Sequence, residues 1–519
     1  MVCRRAATRA AARLAQQGVL PCHGRHLPAA AGAHQRPAFA RVRPPAFLVR
    51  PRKADSGGAC AVRTAGVSAR TVVVGGGLAG ITAALRCADA GLDVTLLEAK
   101  GHLGGLTHSF RRGELDVDNG QHVFLRCCTS YLDLLDRLRV TGKVHLQPKL
   151  AIQVRSPRQP RPVWLRRNGL PAPLHLADSV LKYRPLPLGD RLKFATAALA
   201  LRGVDPAAPA TDAQSFGDWL GRHGQSEQAI TKLWDLVGIA TLNAPATAAS
   251  LSLAATVFQL GLLTDAAAAD IGWSEVPLRE LHGEPAKARL TEAGAQVLLG
   301  TKVTELSSVD GGWRVVAGDS VVLADQVVLA VPPDVAHRLL PPGAVDLPAG
   351  WARELGSSPI VNVHVVFDRT VLTEPFFAAV DSPVQWVFDR TRQSGVDSGQ
   401  YVAVSLSAAD DLIDVPVREI RERILPALRQ VLPRSEGVEV RDFFVTRERH
   451  ATFRPSPGTA GLRPQAVTAA EGLVLAGAWT ATGWPATMEG AVRSGDAAAA
   501  ALLDARPDRT RFLSRRKDS

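Results

Sequence analysis

The stretch that most restricts what this chain can become is Gly75-Gly76-Gly77-Leu78-Ala79-Gly80. It follows the apolar run 71–74, which suits a strand buried on both faces, and precedes a stretch that sets Ile81, Ala84, Leu85 and Ala88 on one helical face. Gly91 stops that helix, 94–97 reads as a second buried strand, and Glu98 stands 18 residues after Gly80. In such a turn Gly75 permits the sharp bend, Gly77 lets the backbone approach a pyrophosphate, and Gly80 allows helix and strand to pack closely. The helix start at Leu78 and Ala79 points free N–H groups and a partial positive charge at the phosphates. Glu98, followed by Ala99, would accept hydrogen bonds from ribose hydroxyls. A glycine loop of purely structural purpose is the plainer alternative, and the strand, helix and acid in place weigh against it.

Two further features separate FAD from NAD. Gly104-Gly105-Leu106 follows Glu98 closely and brings more backbone amides toward the phosphates. After some 380 residues, Leu475-Ala476-Gly477 leads through Trp484 into a helix start near Met488 and Glu489. A strand, a glycine turn and a helix start returning so late fit a long cofactor gripped at both ends. The last helix would aim its N-terminal dipole at the flavin ring.

The expected organisation is interleaved: FAD-binding segments at 67–145, 286–335 and 466–505, a mainly helical substrate or membrane-facing insert at 146–285, and a substrate-domain sheet with a helix at 336–465. The fold class is α/β, a Rossmann-like two-dinucleotide-binding FAD domain with an interleaved α+β substrate domain. Strands are expected at 359–368, 384–389 and 400–406, and a helix at 417–431. The run 251–263 is the most apolar, read either as a buried helix or as the wall of a lipid-access tunnel. No stretch reaches the roughly 18–20 apolar residues needed to span a bilayer.

Charge argues about partners. The whole chain carries +12, but residues 1–54 contribute +11 and 506–519 contribute +4, which leaves a mildly acidic body. A nucleic-acid footprint would lie on the fold itself, so nucleic acid is set aside. Residues 1–66, rich in Ala, Arg and Pro, fit either a disordered or mis-called start or an organelle transit peptide. Six cysteines without a CxxC or zinc spacing read as free thiols in a reducing compartment, with no metal site. Cys127 and Cys128, adjacent in sequence, would bridge only with strain.

Asp118-Asn119-Gly120-Gln121-His122, with Phe124-Leu125-Arg126-Cys127-Cys128 after it, resembles the squalene-associated FAD-dependent enzymes. So do Thr482-Gly483-Trp484-Pro485-Ala486-Thr487-Met488-Glu489-Gly490, the segments Ser215–Leu220 and Trp234–Gly238, and Trp386 within Pro383–Asp389. The similarity spans about 70–503 and is nearest to the hydroxysqualene dehydroxylases, a branch of the amine oxidase and carotenoid desaturase superfamily. It implies FAD contacts at Gly75, Gly77, Gly80, Glu98, Gly104 and Gly105, an adenine contact through the Val303 backbone, and Met488 and Glu489 at the flavin ring. Two positions depart from the superfamily pattern: Leu106 stands where Arg is usual, and Ala478 where an acid is usual.

The resemblance implies reductive removal of the hydroxyl of hydroxysqualene to give squalene, a precursor of hopanoids and other triterpenoids. That chemistry needs a proton donor and a pocket that excludes water. His122, which ordinarily titrates near neutrality, and Asp118 are the candidates, each with a structural role as its alternative. Asp235 and Asp270 read as surface or capping acids. Trp484 and Trp386 suit pocket walls or core packing equally.

A C30 isoprenoid offers no charged handle, so buried apolar area must bind it. An external electron donor is required, and a cytoplasmic protein docked on a membrane is expected, with the basic tail 506–519 drawn to anionic lipid. Desaturation of a carotenoid precursor or amine oxidation is the competing enzymatic reading. A non-catalytic flavin-binding lipid carrier is the third.

Overall fold

The computed structural model describes residues 69–504. The expectations for 1–66 and for the tail 506–519 lie outside those residues. Five short strands form a parallel sheet in the order Gln296–Leu299, Asp93–Glu98, Arg70–Val74, Gln326–Leu329, Leu473–Leu475. Their near-continuous Val and Leu content follows from burial on both faces. Val72, Val74, Leu97, Val327 and Leu329 point to one side, against Trp313 and Val315 of an antiparallel sheet built from 303–309, 312–317 and 320–324. Val73, Leu96, Val328 and Val474 point to the other, against the helices Leu78–Asp89 and Met488–Asp504. Each such side chain contributes about 1.5–3 kcal/mol on burial.

The first and last helices touch directly. A Cβ on Gly495 would lie 2.3 Å from the Ala79 carbonyl oxygen, so only a glycine lets the backbones approach this far. Arg86 Nε bonds Asp496 at 2.8 Å across the same contact. The two distant glycine turns therefore open on one side of one sheet.

A second sheet of seven strands runs in the order Val440–Phe453, Ser357–Phe367, Gln400–Ser407, Trp386–Asp389, Phe376–Ala379, Ala151–Arg155, Val163–Arg166. Only the Phe376–Ala379 pairing with Ala151–Arg155 is parallel. Helix Val417–Val431 covers one face through Ile420, Ile424 and Leu428.

Two features depart from the sequence expectation. The stretch beginning at 146 is not helical at its start: Ala151–Arg155 and Val163–Arg166 join this sheet, and Ile271–Ser274 joins a small sheet with Val123–Leu125 and Val144–Leu146. Runs of four or five residues offer too few repeats to separate period 2 from period 3.6. The longest strand, Val440–Phe453, lies at the sheet edge and is rich in Arg, Asp and Glu, a composition that guards an edge but obscures a strand.

The helices Leu188–Arg202, Phe216–Arg222, Asp235–Leu242 and Leu251–Phe258 share one core with a face of the first sheet. The apolar run 251–263 continues past Phe258 as a wide turn and is mostly buried, with Leu260 exposed. No helix among the described residues is long and apolar enough to cross a membrane.

Candidate flavin site and substrate chamber

The glycine turn is made almost wholly of backbone. Gly75 has φ +106°, and a Cβ there would stand 2.2 Å from the Ala330 carbonyl oxygen. A Cβ on Gly80 would stand 1.9 Å from the Gly75 carbonyl oxygen. Gly77 differs: a Cβ there would meet only the Gly105 Cα, at 3.9 Å, so the space above it is open for a ligand. Gly77 also caps helix Leu78–Asp89 without a side chain, and no acid occupies the first turn. Free N–H groups at Leu78 and Ala79 with the helix dipole behind them suit a pyrophosphate. Gly104 N donates to Gly76 O at 2.8 Å, which lays the Gly104-Gly105 turn on the first loop. Glu98 accepts from Gly76 N at 2.6 Å and from Lys100 N at 2.7 Å. A carboxylate has about four acceptor positions, so capacity remains for ribose hydroxyls. Ala99 and Leu106 are exposed beside it, and Val303 is buried at the start of its strand.

At the other end Gly477 has φ +145° and donates its N–H to Ser494 Oγ at 2.8 Å. The loop that follows is held by Arg463, whose guanidinium donates to the carbonyls of Thr480 at 2.6 Å and Trp484 at 2.8 Å. Burial pushes this arginine down to about 10. Trp484 is half-buried under the Arg493 guanidinium, 4.8 Å from its ring centre, and Met488 is half-buried at the helix start. Glu489 is committed elsewhere: its carboxylate accepts from Tyr131 N at 2.8 Å, Ser130 N at 3.3 Å and Arg493 Nε at 2.6 Å. It supplies the cap that helix Thr129–Arg137 lacks from its own residues.

Asp118 ends strand 115–118, four residues before His122, and faces Arg390 just past the end of strand 386–389. Asp118 is buried in an ion pair with Arg390 and also accepts from Ser109 Oγ at 2.6 Å and Leu278 N at 3.1 Å. The expectation that His122 titrates near neutrality is corrected. Burial, reinforced by the Arg390 charge and opposed by Asp118, pushes it to about 4, so it is neutral at pH 7. Its Nε2 is buried without a partner among the described residues. A neutral imidazole can present Nε2 as an acceptor.

Gln121 Oε1 and Asn362 Oδ1 are likewise buried without a partner among the described residues. A Cβ on Gly120 would lie 3.3 Å from His122 Nε2 and 3.8 Å from Asn362 Nδ2, which brings these groups together. Val123, next to His122, pairs with Trp273, and Trp273 packs edge-on against Phe376 at 5.5 Å. Phe376 in turn contacts Trp386 and Phe388. Trp273, Phe376, Trp386 and Phe388 thus form one packed aromatic cluster. Trp386 Nε1 donates to the Leu236 carbonyl at 3.3 Å.

Asp235 and Asp270 are not surface acids. Asp235 is buried, caps Ala246 N at 2.8 Å and is pushed up to about 6 by desolvation. Asp270 is fully buried between Arg126 at 3.0 Å and Arg167 at 2.6 Å; despite that burial, their hydrogen bonds hold it below the usual carboxylate range. Cys127 and Cys128 are free thiols. No group of side chains able to hold a metal occurs among the described residues.

A profile of the flavin containing amine oxidoreductases matches residues 78–503. The chain belongs to that family. Members of the family named hydroxysqualene dehydroxylase are similar over nearly their whole length. The one from Sinorhizobium fredii is 30% identical over 443 residues, 82% of this chain and 96% of that protein. A probable zeta-carotene desaturase from Synechococcus elongatus is 25% identical, covering 84% of this chain and 99% of that protein. An oxidoreductase structure from Methanosarcina mazei superposes with a TM-score of 0.64 at 16% identity, over 84% of this chain and 100% of that one. The protein is thus an FAD-dependent oxidoreductase with the family's α/β fold, and the open cradle above Gly77 fits the cofactor.

Arg463, Arg390 and Asn362 escaped the sequence reading. Each sits in a segment without a motif, and each acquires its role from a partner 15 to 272 residues away.

Proposed function

We propose that the protein reductively removes the hydroxyl of hydroxysqualene to give squalene. The observation that carries this reading is a set of buried polar atoms without partners among the described residues: His122 Nε2 and Asn362 Oδ1, whose side chains meet at Gly120, and Gln121 Oε1 in the same segment. Acceptors without donors suit a ligand that brings an O–H group, and a polyene brings none. Carotenoid desaturation gains no support from this cluster. The similarity to hydroxysqualene dehydroxylases over most of the chain favours the same reading.

Removing the hydroxyl takes one proton, drawn from solvent, and one hydride: the C–O bond breaks, oxygen departs as water, and a C–H bond forms at the same carbon. FAD, once reduced by an external electron donor, supplies the hydride equivalent. We assign its pyrophosphate to the Gly75–Gly80 turn with Gly104 and Gly105, its ribose to Glu98, its adenine side to Val303, and its ring to the loop from Gly477 through Trp484 to Met488. Glu489 shapes that end through the 129–137 helix. His122 orients the substrate oxygen as an acceptor; being neutral without a second proton, it is not the general acid at pH 7. Asp118 holds Arg390 and the 109–118 hairpin in place. Both are positioning residues. Trp273, Phe376, Trp386 and Phe388 keep water from the apolar chain and strengthen polar contacts at its end.

The test is product analysis. Purified holoprotein given hydroxysqualene and a flavin-reducing system should yield squalene. Formation of extra double bonds in a carotenoid precursor, with no squalene, would sink the proposal in favour of the desaturase reading. A flavin that bleaches with reductant and is never reoxidised by substrate would favour the carrier.

A further inference from the structure

Fifteen large apolar side chains are exposed among the described residues, and six of them, Leu170, Leu174, Leu181, Leu188, Leu192 and Leu199, fall between 170 and 199. Each is between 49% and 59% exposed. The spacing on helix Leu188–Arg202 is decisive: Leu188, Leu192, Ala195 and Leu199 recur at i, i+4, i+7 and i+11, one stripe of the helix, and all four face outward. The opposite stripe is used in the ordinary way, with Ala197, Ala198 and Leu201 in the core. This helix is apolar on both sides, so its outer stripe is not explained by folding.

The surrounding leucines belong to one surface. Arg191 donates to the Leu181 and Leu186 carbonyls, both at 2.7 Å, and so ties helix Ala177–Leu181 to the start of Leu188–Arg202. Asn168 N bonds the His175 carbonyl at 2.9 Å, which folds the Leu170–Leu174 turn onto the same unit. Gln259 Nε2 bonds the Leu201 carbonyl at 2.9 Å, which brings the exposed Leu260 beside the far end.

Charge identifies the occupant. Residues 166–202 hold seven Arg or Lys against two Asp, a net +5, while the rest of 69–504 carries −8. Arg184, Lys193 and Arg202 are exposed at the rim of the leucines. Exposed leucines set among basic residues are the composition of a helix that lies in a lipid headgroup boundary. A second copy of this acidic body would offer no matching apolar partner with the opposite charge pattern except elsewhere on its surface. Beneath the same segment, Tyr183 and Leu186 pack with Leu233, Leu236, Phe376 and Phe388 of the chamber wall.

We propose that the leucine face of residues 170–199 docks this protein on an anionic lipid bilayer, with helix Leu188–Arg202 along the headgroup boundary and the chamber directly behind it. This replaces the basic tail as the main anchor. It goes beyond the reaction proposed above, and lipid binding is read without substrate, so either can fail alone.

The full-length holoprotein is floated with vesicles of phosphatidylcholine, with and without phosphatidylglycerol. It should float with the mixed vesicles. Leu188→Ser/Leu192→Ser/Leu199→Ser should reduce the bound fraction by about tenfold or more, with flavin absorbance and melting temperature unchanged because all three side chains are exposed. Arg184→Ala/Lys193→Ala/Arg202→Ala should lose the preference for phosphatidylglycerol, as should the wild type in high salt. The proposal is overturned if the wild type does not float, or if the leucine variant floats like the wild type. It is also overturned if a chain ending at residue 505 fails to float, since the tail would then carry the binding. A leucine variant that turns a dimer into a monomer, from a wild type that ignores vesicles, would assign the face to a second copy instead.

Discussion

Around Gly75–Gly80 the contacts are made by backbone: glycine against the Ala330 carbonyl, glycine against the Gly75 carbonyl, and Gly104 N–H against the Gly76 carbonyl. Around His122 they are made by side chains drawn from four separate segments, with Asp118 facing Arg390 and Asn362 reaching Asn119. The first region fits a ligand common to the whole family, the second a substrate that differs between members. A backbone cradle leaves no room for a side chain at Gly75 or Gly80 and reads out from a short motif. A side-chain chamber can be rebuilt residue by residue, and its order depends on paired charges in a dry interior.

If that contrast is right, the largest single loss should come from the chamber side. Asp118→Ala leaves Arg390 buried without its partner, a loss of about 3–5 kcal/mol; chemical denaturation of the holoprotein measures it. A loss below about 1 kcal/mol would mean that water solvates the guanidinium in place of the carboxylate. Gly80→Ala should cost about 3 kcal/mol, since its Cβ meets a carbonyl oxygen rather than a movable side chain. The same variant should be purified without yellow colour, and normal flavin content would break the backbone-cradle picture.

Acid sensitivity should be carried by the buried histidines. Burial pushes His122 to about 4, and His282 and His364 to about 3, each from an ordinary 6.5. Below 6.5 the unfolded chain takes up protons that the folded one refuses, so stability present above that pH is lost as pH falls toward 4. His122→Asn should remove about 2 kcal/mol of the loss between pH 7 and pH 5. Melts of the two proteins across that range, parallel at every pH, would count against the assignment.

Arg463→Met tests a distant side chain that supports the cofactor end. Flavin affinity should fall about tenfold, near the value of a charge-assisted hydrogen bond, as read by titration of the apoprotein with FAD. The smallest effect is expected at Asp235. Burial raises it to about 6 from 3.8, so its contribution is most favourable below 3.8 and is lost as pH rises through 6. Asp235→Asn keeps the bond to Ala246 N and should add about 1 kcal/mol at pH 8, with less gain at pH 4.

The sequence reading located strand 70–74 to within one residue and the last helix, 488–504, likewise, because both carry strong local signals: a glycine turn on one side and a sustained apolar period on the other. It found the turn, Glu98 and the Gly104-Gly105 pair for the same reason. It misread Asp270, since nothing near Ala269 announces that Arg126 and Arg167 will converge there. It gave His122 its solution titration, since desolvation is a property of packing and has no signature in a pentapeptide. It assigned no role to the individual leucines of 170–199; the fold shows which stripe of helix 188–202 faces the interior and which meets solvent.

Local pattern alone therefore determined the cofactor turn, the buried strands and the late return of the chain to the first sheet, because glycine geometry and hydrophobic period act over a few residues. Tertiary structure decided which charges are paired, which histidine is neutral and which leucines meet solvent, because burial and Coulomb energies depend on neighbours hundreds of residues apart.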